Sequence, residues 1–255
     1  MKNCWAKSLG DCKGPITKEH PISRTVIPGK VRVQGFSWCK NQPKEVGISS
    51  LASHMLCKKH NNDLSDFDNE IGHFVDEIEN LSKRLNDFKT HGYRISTPVK
   101  HEIDGLKLEK WFCKTLIDIA YYKKEDAKIE FEKILPVLFG NFNFREPLGL
   151  HFATTIGQNI STKRIYDVLP ILNMRNDGVA ELAGGFFIIR GFRFILLFPS
   201  SKSDIFVNGR LNITKKRGLD KSWNGLQLKW HHKKLDWEVD RSGMRYLTDR
   251  IEFHW

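Results

Sequence analysis

Residues 56–68 read LCKKHNNDLSDFD, and this stretch decides how the first part of the chain folds. Cys57 and His60 are separated by two residues, the spacing at which two side chains bind one metal ion from a tight turn or a first helical turn. The polar residues that follow are typical of a helix start, with Ser65 or Asp66 as the N-cap. Apolar residues then recur every three or four positions, which predicts a helix over residues 70–88.

Two cysteines upstream of this stretch can complete a metal site. Cys4 and Cys12 come first, and Gly14 lets the chain after Cys12 turn its backbone amides towards a thiolate. Four ligands close a tetrahedral zinc site, and closed sites of this kind are structural rather than catalytic. We therefore predict a structural Zn²⁺ ion bound by Cys4, Cys12, Cys57 and His60.

The segment that would hold this ion has little hydrophobic core of its own. Residues 1–69 are rich in Cys, His, Gly and Pro and poor in long periodic patterns. Structural zinc contributes on the order of 10 kcal/mol to the folding of small modules, which compensates for a small core. Cys39 is the spare cysteine and can replace any of the three cysteine ligands, whereas Cys113, beside Trp111 and Phe112, is predicted to be core.

The composition is that of a globular protein with a strong positive charge. The chain has 255 residues, of which 40% are hydrophobic and 11% aromatic, too many for a disordered chain. Its formal net charge is +11 at pH 7. A chain this basic usually binds a polyanion, and nucleic acid is the leading candidate.

The cysteines and the N-terminus predict a cytoplasmic protein without a membrane segment. Five cysteines form an odd and sparse set for a disulfide framework, and residues 1–5 lack the apolar core of a signal peptide. Arg190 and Arg193 interrupt the longest apolar run, near residues 186–198, which excludes a membrane span there. We therefore expect reduced thiols, which in clusters bind metal more often than each other.

The pattern of the whole chain predicts an α+β fold in three parts. The parts are a zinc module with its following helix over residues 1–92, a helical linker region over 93–145, and a β-rich domain over 146–255. Apolar stripes predict helices over 105–123 and 126–139. Alternating or continuous apolar patterns predict strands over 30–36, 150–155, 183–189, 192–198, 204–213 (a hairpin turning at Asn208-Gly209), 226–230 and 235–239.

The metal ligands and an intervening Glu-His pair resemble the HNH nucleases, which have the ββα-metal fold. The matching residues are Cys4 and Cys12, then Glu19-His20-Pro21-Ile22-Ser23, then Leu56-Cys57-x-x-His60-Asn61-x-x-Leu64-Ser65. The resemblance covers about residues 1–75. It departs from the family in the wide first cysteine pair, in the His at the last ligand position, and in the long gap between His20 and Cys57.

The resemblance implies a catalytic site around a divalent ion. It makes His20 the general base, a role that an imidazole neutral near pH 7 can fill. It makes Glu19 and Asn61 ligands of a catalytic Mg²⁺ or Mn²⁺ ion, which carboxylate and amide oxygens suit. Phosphodiester hydrolysis needs both a general base and a divalent ion, because a water must lose a proton while charge develops on the phosphate.

The register after His60 leaves the remaining catalytic residues open. On a continuous helix, Ser65 and Asp68 would share a face with Asn61, and either can be the third element of the site. Asn62 takes the place of Asn61 if the register shifts by one.

The implied reaction is hydrolysis of DNA phosphodiester bonds. Nicking is the simpler outcome, because one site cuts one strand at a time. HNH proteins similar in build are frequent in bacterial and phage restriction, mobile-element and anti-phage loci, the nuclease component of the Zorya defence system among them. The resemblance thus implies phage or plasmid DNA as target and other defence-system subunits as partners. Two alternatives stay open: a zinc-dependent DNA-binding protein without catalysis, and a partner-binding adaptor whose zinc is purely structural.

Basic side chains supply candidate contacts to nucleic acid. Some flank the predicted site, and others lie in basic segments near tryptophans, where lysines can bind phosphate and exposed rings can stack on bases. The predicted contacts are Lys18, Lys58, Lys59, Lys215, Lys216 and Arg217. The C-terminal half carries no motif of its own and can clamp DNA, restrain the nuclease or bind a partner.

Overall fold

The computed structural model describes residues 4–27, 29–34, 36, 38–91, 99–123, 127–154, 166–199, 206–207, 210–211, 227–231, 233–241 and 244–255. Helix and strand occur in comparable amounts, which confirms the predicted α+β class. The α-helices are α1 (Lys58–Asp63), α2 (Ser65–His91), α3 (Gly105–Lys123) and α4 (Phe131–Phe139). The strands are β1 (Ile16–Glu19), β2 (Lys30–Val33), β3 (Lys44–Gly47), β4 (Ser53–Cys57), β5 (Val99–Asp104), β6 (Gly149–Thr154), β7 (Tyr166–Met174), β8 (Ala180–Ile189), β9 (Phe192–Leu197), β10 (Phe206–Val207), β11 (Arg210–Leu211), β12 (Gln227–Trp230), β13 (Lys234–Arg241) and β14 (Met244–His254).

The N-terminal part is built on a short antiparallel pair, β1 with β4. In this pair Ile16 lies opposite Cys57 and Glu19 lies opposite Ser53. Between them in sequence, β2 and β3 form a separate hairpin, and β2 ends before the predicted end of that strand. β4 runs directly into α1, so Cys57 ends a strand while His60 belongs to a helix.

The long helix α2 begins at Ser65, earlier than predicted. Leu64 separates it from α1. Asp66 and Asp68 lie in its first turn, where a carboxylate interacts favourably with the positive end of the helix dipole. The predicted apolar stripe is confirmed, since Ile71 and Phe74 in its first half are fully buried.

The helix α3 lies at the centre of the molecule and covers the predicted residues. It packs on an antiparallel five-stranded sheet of order β12-β6-β9-β8-β7. The ring centroid of Phe112 lies 4.4 Å from that of Phe187. A Cβ atom at Gly185 would collide with Leu116, so this glycine allows the close approach of helix and sheet. Within the sheet, β8 and β9 confirm the predicted hairpin over 183–198.

The sequence patterns did not predict the strands β1, β3, β4, β7 and β14, and tertiary pairing accounts for two further differences. α4 begins at Phe131 rather than at residue 126, because the backbone of Lys128 bonds to Ala180 and Leu182 at the edge of β8. β5 was not predicted; it pairs in parallel with β14, which also pairs with β13. Both changes depend on partners distant in sequence.

One hydrophobic core includes residues of all three predicted parts. The ring centroid of Phe74 lies 6.2, 5.8 and 6.0 Å from those of Phe192, Phe194 and Phe253. The three-part division stays a prediction, but its parts share this core. The predicted hairpin over 204–213 pairs β10 with β11, while its turn residues 208–209 lie outside the described ranges. None of the described helices has the length and apolar character needed to cross a membrane.

Candidate metal centre and active site

The four predicted zinc ligands lie together. The Nδ1 atom of His60 is 3.4 Å from the sulfur of Cys4, 3.4 Å from that of Cys57 and 3.7 Å from that of Cys12. All four ligand atoms lie within 4.8 Å of one another. Zinc bonds of about 2.0–2.1 Å to nitrogen and about 2.3 Å to sulfur place tetrahedral N and S ligands roughly 3.6 Å apart. The cluster therefore has the donors and spacing that a metal ion such as zinc requires, and Cys39 is not part of it.

Local backbone structure shapes this cluster. Gly14 has a left-handed φ of +74°, which the turn after Cys12 requires. This turn sits against the start of α1, because the backbone N–H of Lys59 donates to the carbonyl of Lys13. Burial works to raise the pKa of Cys57, but hydrogen bonds from the backbone of His60 and Lys13, together with those from the thiols of Cys12 and Cys4, lower the pKa overall. This is the knuckle that the sequence indicated.

Asp11 fixes the orientation of His60. Its Oδ1 lies 2.8 Å from Nε2 of His60, and hydrogen bonds from Lys59 and His60 lower the pKa of Asp11 to about 2. With the proton held on Nε2 by this carboxylate, the lone pair of Nδ1 is directed at the sulfurs, as in carboxylate–histidine–zinc triads. Asp11 was not among the predicted site residues, and only its position next to Cys12 could have indicated it.

The thiols need a cation to ionise together. Burial, and then the neighbouring thiols of Cys4 and Cys57, raise the pKa of Cys12 to about 11. Three thiolates in one buried cluster repel each other unless a metal ion neutralises them. Cys113 is different: it is fully buried in the apolar core, as predicted, and burial raises its thiol pKa well above the ordinary value.

Asn61 links the metal cluster to the predicted catalytic strand. Its side-chain N–H donates to Oγ1 of Thr17 at 2.9 Å and to the carbonyl of Lys18 at 3.2 Å. Both acceptors belong to β1, the strand that ends at Glu19. Asn62 is exposed. Of the two asparagines, Asn61 is therefore the one that packs against β1.

His20 follows β1 and keeps one ring nitrogen free. The ring bonds to the backbone of Ile48, whereas Nδ1 is buried and has no hydrogen-bond partner among the described residues. The Ile48 bond is therefore assigned to Nε2–H, which leaves Nδ1 as the unprotonated nitrogen. Burial, and then the positive charges of Arg24 and Lys114, lower the pKa of His20, while Asp68 raises it. The imidazole is consequently neutral at pH 7.

Glu19 and Asp68 meet a buried lysine. The ammonium of Lys114 lies 2.5 Å from Oε1 of Glu19 and 2.6 Å from Oδ2 of Asp68. Lys114 is only 1% exposed, and Glu19 is 5% exposed. The second oxygen of Asp68 accepts the indole N–H of Trp111 at 3.1 Å. Lys114 was not among the predicted site residues, because a lysine inside a helix is usually exposed.

The other predicted site residues have different surroundings. Ser65 donates its hydroxyl to the carbonyl of Asn62 at 2.7 Å, and the break at Leu64 places it on α2 rather than on the helix of Asn61. Lys18 and Lys58 are exposed, while the ammonium of Lys59 is paired with Asp11 and Asp63. The predicted contacts Lys215, Lys216 and Arg217 lie outside the described residues.

The family of the chain is not shown by its similarity to other proteins. No family model, no curated protein and no solved structure matches it. Across the described ranges, the Cys/His cluster is also the one group of three or more Cys, His, Asp or Glu side chains arranged to hold a metal ion.

Proposed function

We propose that the chain is an HNH-type endonuclease that hydrolyses DNA phosphodiester bonds, one strand at a time. The observation that carries this proposal is the placement of His20. Its neutral imidazole follows β1, which pairs with β4 and is bonded to Asn61, the residue next to the zinc ligand His60. β1, β4 and α1 thus connect the candidate base His20 to the Cys/His cluster through the pairing of β1 with β4 and the hydrogen bonds of Asn61.

His20 would act as the general base. Nδ1 carries the free lone pair, and the Ile48 carbonyl accepts the opposite N–H. Because Nδ1 is buried, the role of base requires that substrate binding opens a path from this nitrogen to the attacking water. The lowered pKa keeps this base neutral at physiological pH, so it is ready to accept a proton.

The resemblance also implies a catalytic Mg²⁺ or Mn²⁺ ion, which would stabilise charge on the phosphate and the leaving oxygen. The oxygen donors of Glu19 and Asn61 have the right chemistry. The arrangement of Glu19 does not fit such an ion, because its Oε1 is paired with the buried ammonium of Lys114. The hydrogen bonds of Asn61 to β1 use its side-chain N–H, not the amide oxygen that would bind an ion.

DNA as the substrate is supported by charge. The net charge of +11 favours a polyanion, and exposed Lys18 and Lys58 lie on the β1 and α1 segments beside the site. Phage or plasmid DNA as the target, a cytoplasmic setting and partner subunits of a defence system belong to the same proposal and rest on the resemblance.

Plasmid cleavage tests the proposal. The zinc-loaded full chain with Mg²⁺ or Mn²⁺ should convert supercoiled plasmid to nicked circles. His20→Ala should reduce the cutting rate by a factor of at least about 100 while DNA binding is retained. His54→Ala is the matched control, because His54 is exposed on β4 opposite Lys18. Wild type that binds DNA and never cuts with either metal would refute the nuclease.

A zinc-dependent DNA-binding protein without catalysis is the second candidate. The observation that favours it is the Lys114 ammonium between Glu19 and Asp68, which leaves these carboxylates without a divalent ion. Under this alternative, binding weakens steeply with added salt and no variant changes the state of the plasmid.

A further inference from the structure

A basic hairpin follows the candidate base along the chain. Its strands β2 and β3 lie in the long gap between His20 and Cys57, where the sequence departs from the HNH pattern. Residues 20–44 contain no acidic residue, and all five of their basic side chains are exposed: Arg24, Lys30, Arg32, Lys40 and Lys44. A surface with this charge is complementary to a polyanion.

The loop between the two strands carries an exposed indole. Trp38 is 40% exposed, whereas Trp5 and Trp111 are buried. Its ring is stacked on that of Phe36, with 5.6 Å between the ring centroids and 15° between the planes. The ammonium of Lys44 lies 6.0 Å from the centroid of the indole. One exposed ring needs no explanation by itself, but an exposed ring among cations has the composition of a surface that binds unpaired bases.

Contacts beneath the loop hold this indole in place. Phe36 is 8% exposed, and its ring packs edge-on against that of Tyr122 on α3 at a centroid distance of 5.4 Å. The backbone N–H of Cys39 donates to the carbonyl of Phe36 at 2.8 Å, which closes the turn that contains Trp38. An aromatic ring that is fixed before binding loses little conformational entropy when a base stacks on it.

The hairpin is also connected to the candidate base. Ile48 directly follows β3, and its carbonyl accepts the ring N–H of His20. Burial, and then the positive charge of nearby Arg24, lower the pKa of His20. Lys44, at the other end of β3, is roughly 13 Å from Ile48 along the extended chain, a length that a few nucleotides span. A DNA strand bound at His20 can therefore extend to Trp38.

We propose that the hairpin of β2 and β3 binds single-stranded DNA, with an unpaired base stacked on Trp38 and the phosphates beside the exposed cations. Phe36 covers one face of the indole, so the base stacks on the other. The ammonium of Lys44 then moves from the ring to a phosphate. This exchange is favourable, because a stacked base stabilises an exposed ring more than an exposed ammonium does. Bases inside a duplex are already stacked on their neighbours, so the indole selects unpaired DNA.

The inference deepens the proposed function and rests on it for the choice of DNA as the nucleic acid. It assigns the substrate class as DNA with an unpaired stretch beside the bond to be cut. Binding requires no cleavage, so it can be measured without Mg²⁺ or Mn²⁺, whether or not the protein nicks plasmid.

Fluorescence anisotropy of the zinc-loaded full chain with a labelled oligothymidylate of about twelve nucleotides tests the surface. Wild type should bind this single strand more tightly than a duplex of the same length. Trp38→Ala should weaken single-strand binding about tenfold and leave duplex binding unchanged, whereas Trp38→Phe keeps a ring and should lose much less. Phe142→Ala is the matched control, because Phe142 is a 68% exposed ring outside the hairpin, and it should bind as wild type does. Equal single-strand affinities of wild type and Trp38→Ala, or equal losses for both forms of DNA, would overturn the proposal.

A fluorescent base tests the stacking directly and needs no variant. The emission of 2-aminopurine falls when this base stacks, so wild type should quench 2-aminopurine placed within the oligothymidylate. Binding without quenching at any position of the base would overturn the stacking on Trp38, and tighter binding of the matching RNA would overturn the choice of DNA. Quenching by a protein that never nicks plasmid would remove only the nuclease function, whereas nicking without quenching would remove only this inference.

Discussion

At the scale of single residues, His60 shows how one hydrogen bond prepares a metal ligand. Asp11 holds Nε2 of the ring, and Lys59 in turn holds Asp11. The carboxylate thereby fixes both the tautomer and the direction of the ligand atom. The four ligands themselves were predictable, because Cys57 and His60 have ligand spacing and the Cys12-Lys13-Gly14 turn indicates a knuckle; Cys39, although nearer to Cys57 in sequence, was kept only as the spare. Asp11 and Lys114 were not predictable, because their roles depend on contacts across 49 and 95 residues of sequence, as His60 and Glu19 show.

Asp11→Ala should weaken zinc affinity about 10- to 100-fold, since the ligand loses its orienting partner. Competition with a chromophoric chelator measures the change. Asp63→Ala is the matched control, because Asp63 pairs with Lys59 but does not bond to His60. An equal loss in both variants would show that the pairing of Lys59, and not the orientation of His60, matters.

The nicking rate should stay constant down to a lower pH than it would if the general base were a histidine with an ordinary pKa. A general base must be neutral, and the pKa of His20 is lowered below its ordinary value of 6.5, chiefly by burial. The rate should therefore fall only when the pH drops below that value. Arg24→Ala removes a nearby positive charge and should move the acid limb of the pH–rate profile upward. An acid limb above 6.5 in wild type would contradict the assignment of His20 as base.

At the scale of elements, the junction of β4 with α1 positions both halves of the candidate site. Cys57 is the last residue of β4, His60 and Asn61 lie in α1, and the turn around Gly14 packs against the start of α1. The helix pattern of α2 and the hairpin of β8 and β9 were predictable from local periodicity. The break at Leu64 was not, because the same polar residues suit a continuous helix. β5 was missed because its strand partner, β14, is distant in sequence: Val99 pairs with Asp249, 150 residues further along the chain.

Gly14→Ala should destabilise the zinc-loaded protein by more than Gly10→Ala. Both glycines have a left-handed φ, where an alanine costs about 1–2 kcal/mol. The two sites differ in space, because a Cβ at Gly14 would lie 2.9 Å from Cβ of Lys58, whereas a Cβ at Gly10 meets nothing within 4 Å. Urea unfolding should show the difference, and Gly14→Ala should also lose zinc more easily. Equal unfolding midpoints would contradict this description of the turn.

At the scale of the whole molecule, the N-terminal part that carries the Cys/His cluster and the sheets share one hydrophobic core. Phe74 on α2 contacts rings on β9 and β14, and α3 lies between the first pair of strands and the five-stranded sheet. The composition and periodicity predicted the α+β class and the β-rich second half. They could not predict that the helical middle part is the centre of the core, because an apolar stripe does not identify the surface it packs against.

Zinc release and loss of secondary structure should occur in one unfolding transition, and Phe74→Ala should shift both together. Removing this buried ring should cost about 3–5 kcal/mol. A metal indicator follows zinc release, and far-UV circular dichroism follows the loss of secondary structure, so the two unfolding curves can be compared. Phe142→Ala is the control, because Phe142 is 68% exposed. Two separate transitions in wild type would show that the metal module folds as an independent unit.

The proposed function depends on the metal cluster, and metal analysis of the purified full chain tests this cluster most directly. Cys4, Cys12, Cys57 and His60 should bind about one zinc ion per chain. Cys57→Ser should lose the ion, whereas Cys39→Ser should retain it, because Cys39 lies outside the cluster. Folded wild type without zinc, or full zinc occupancy in Cys57→Ser, would contradict the zinc centre.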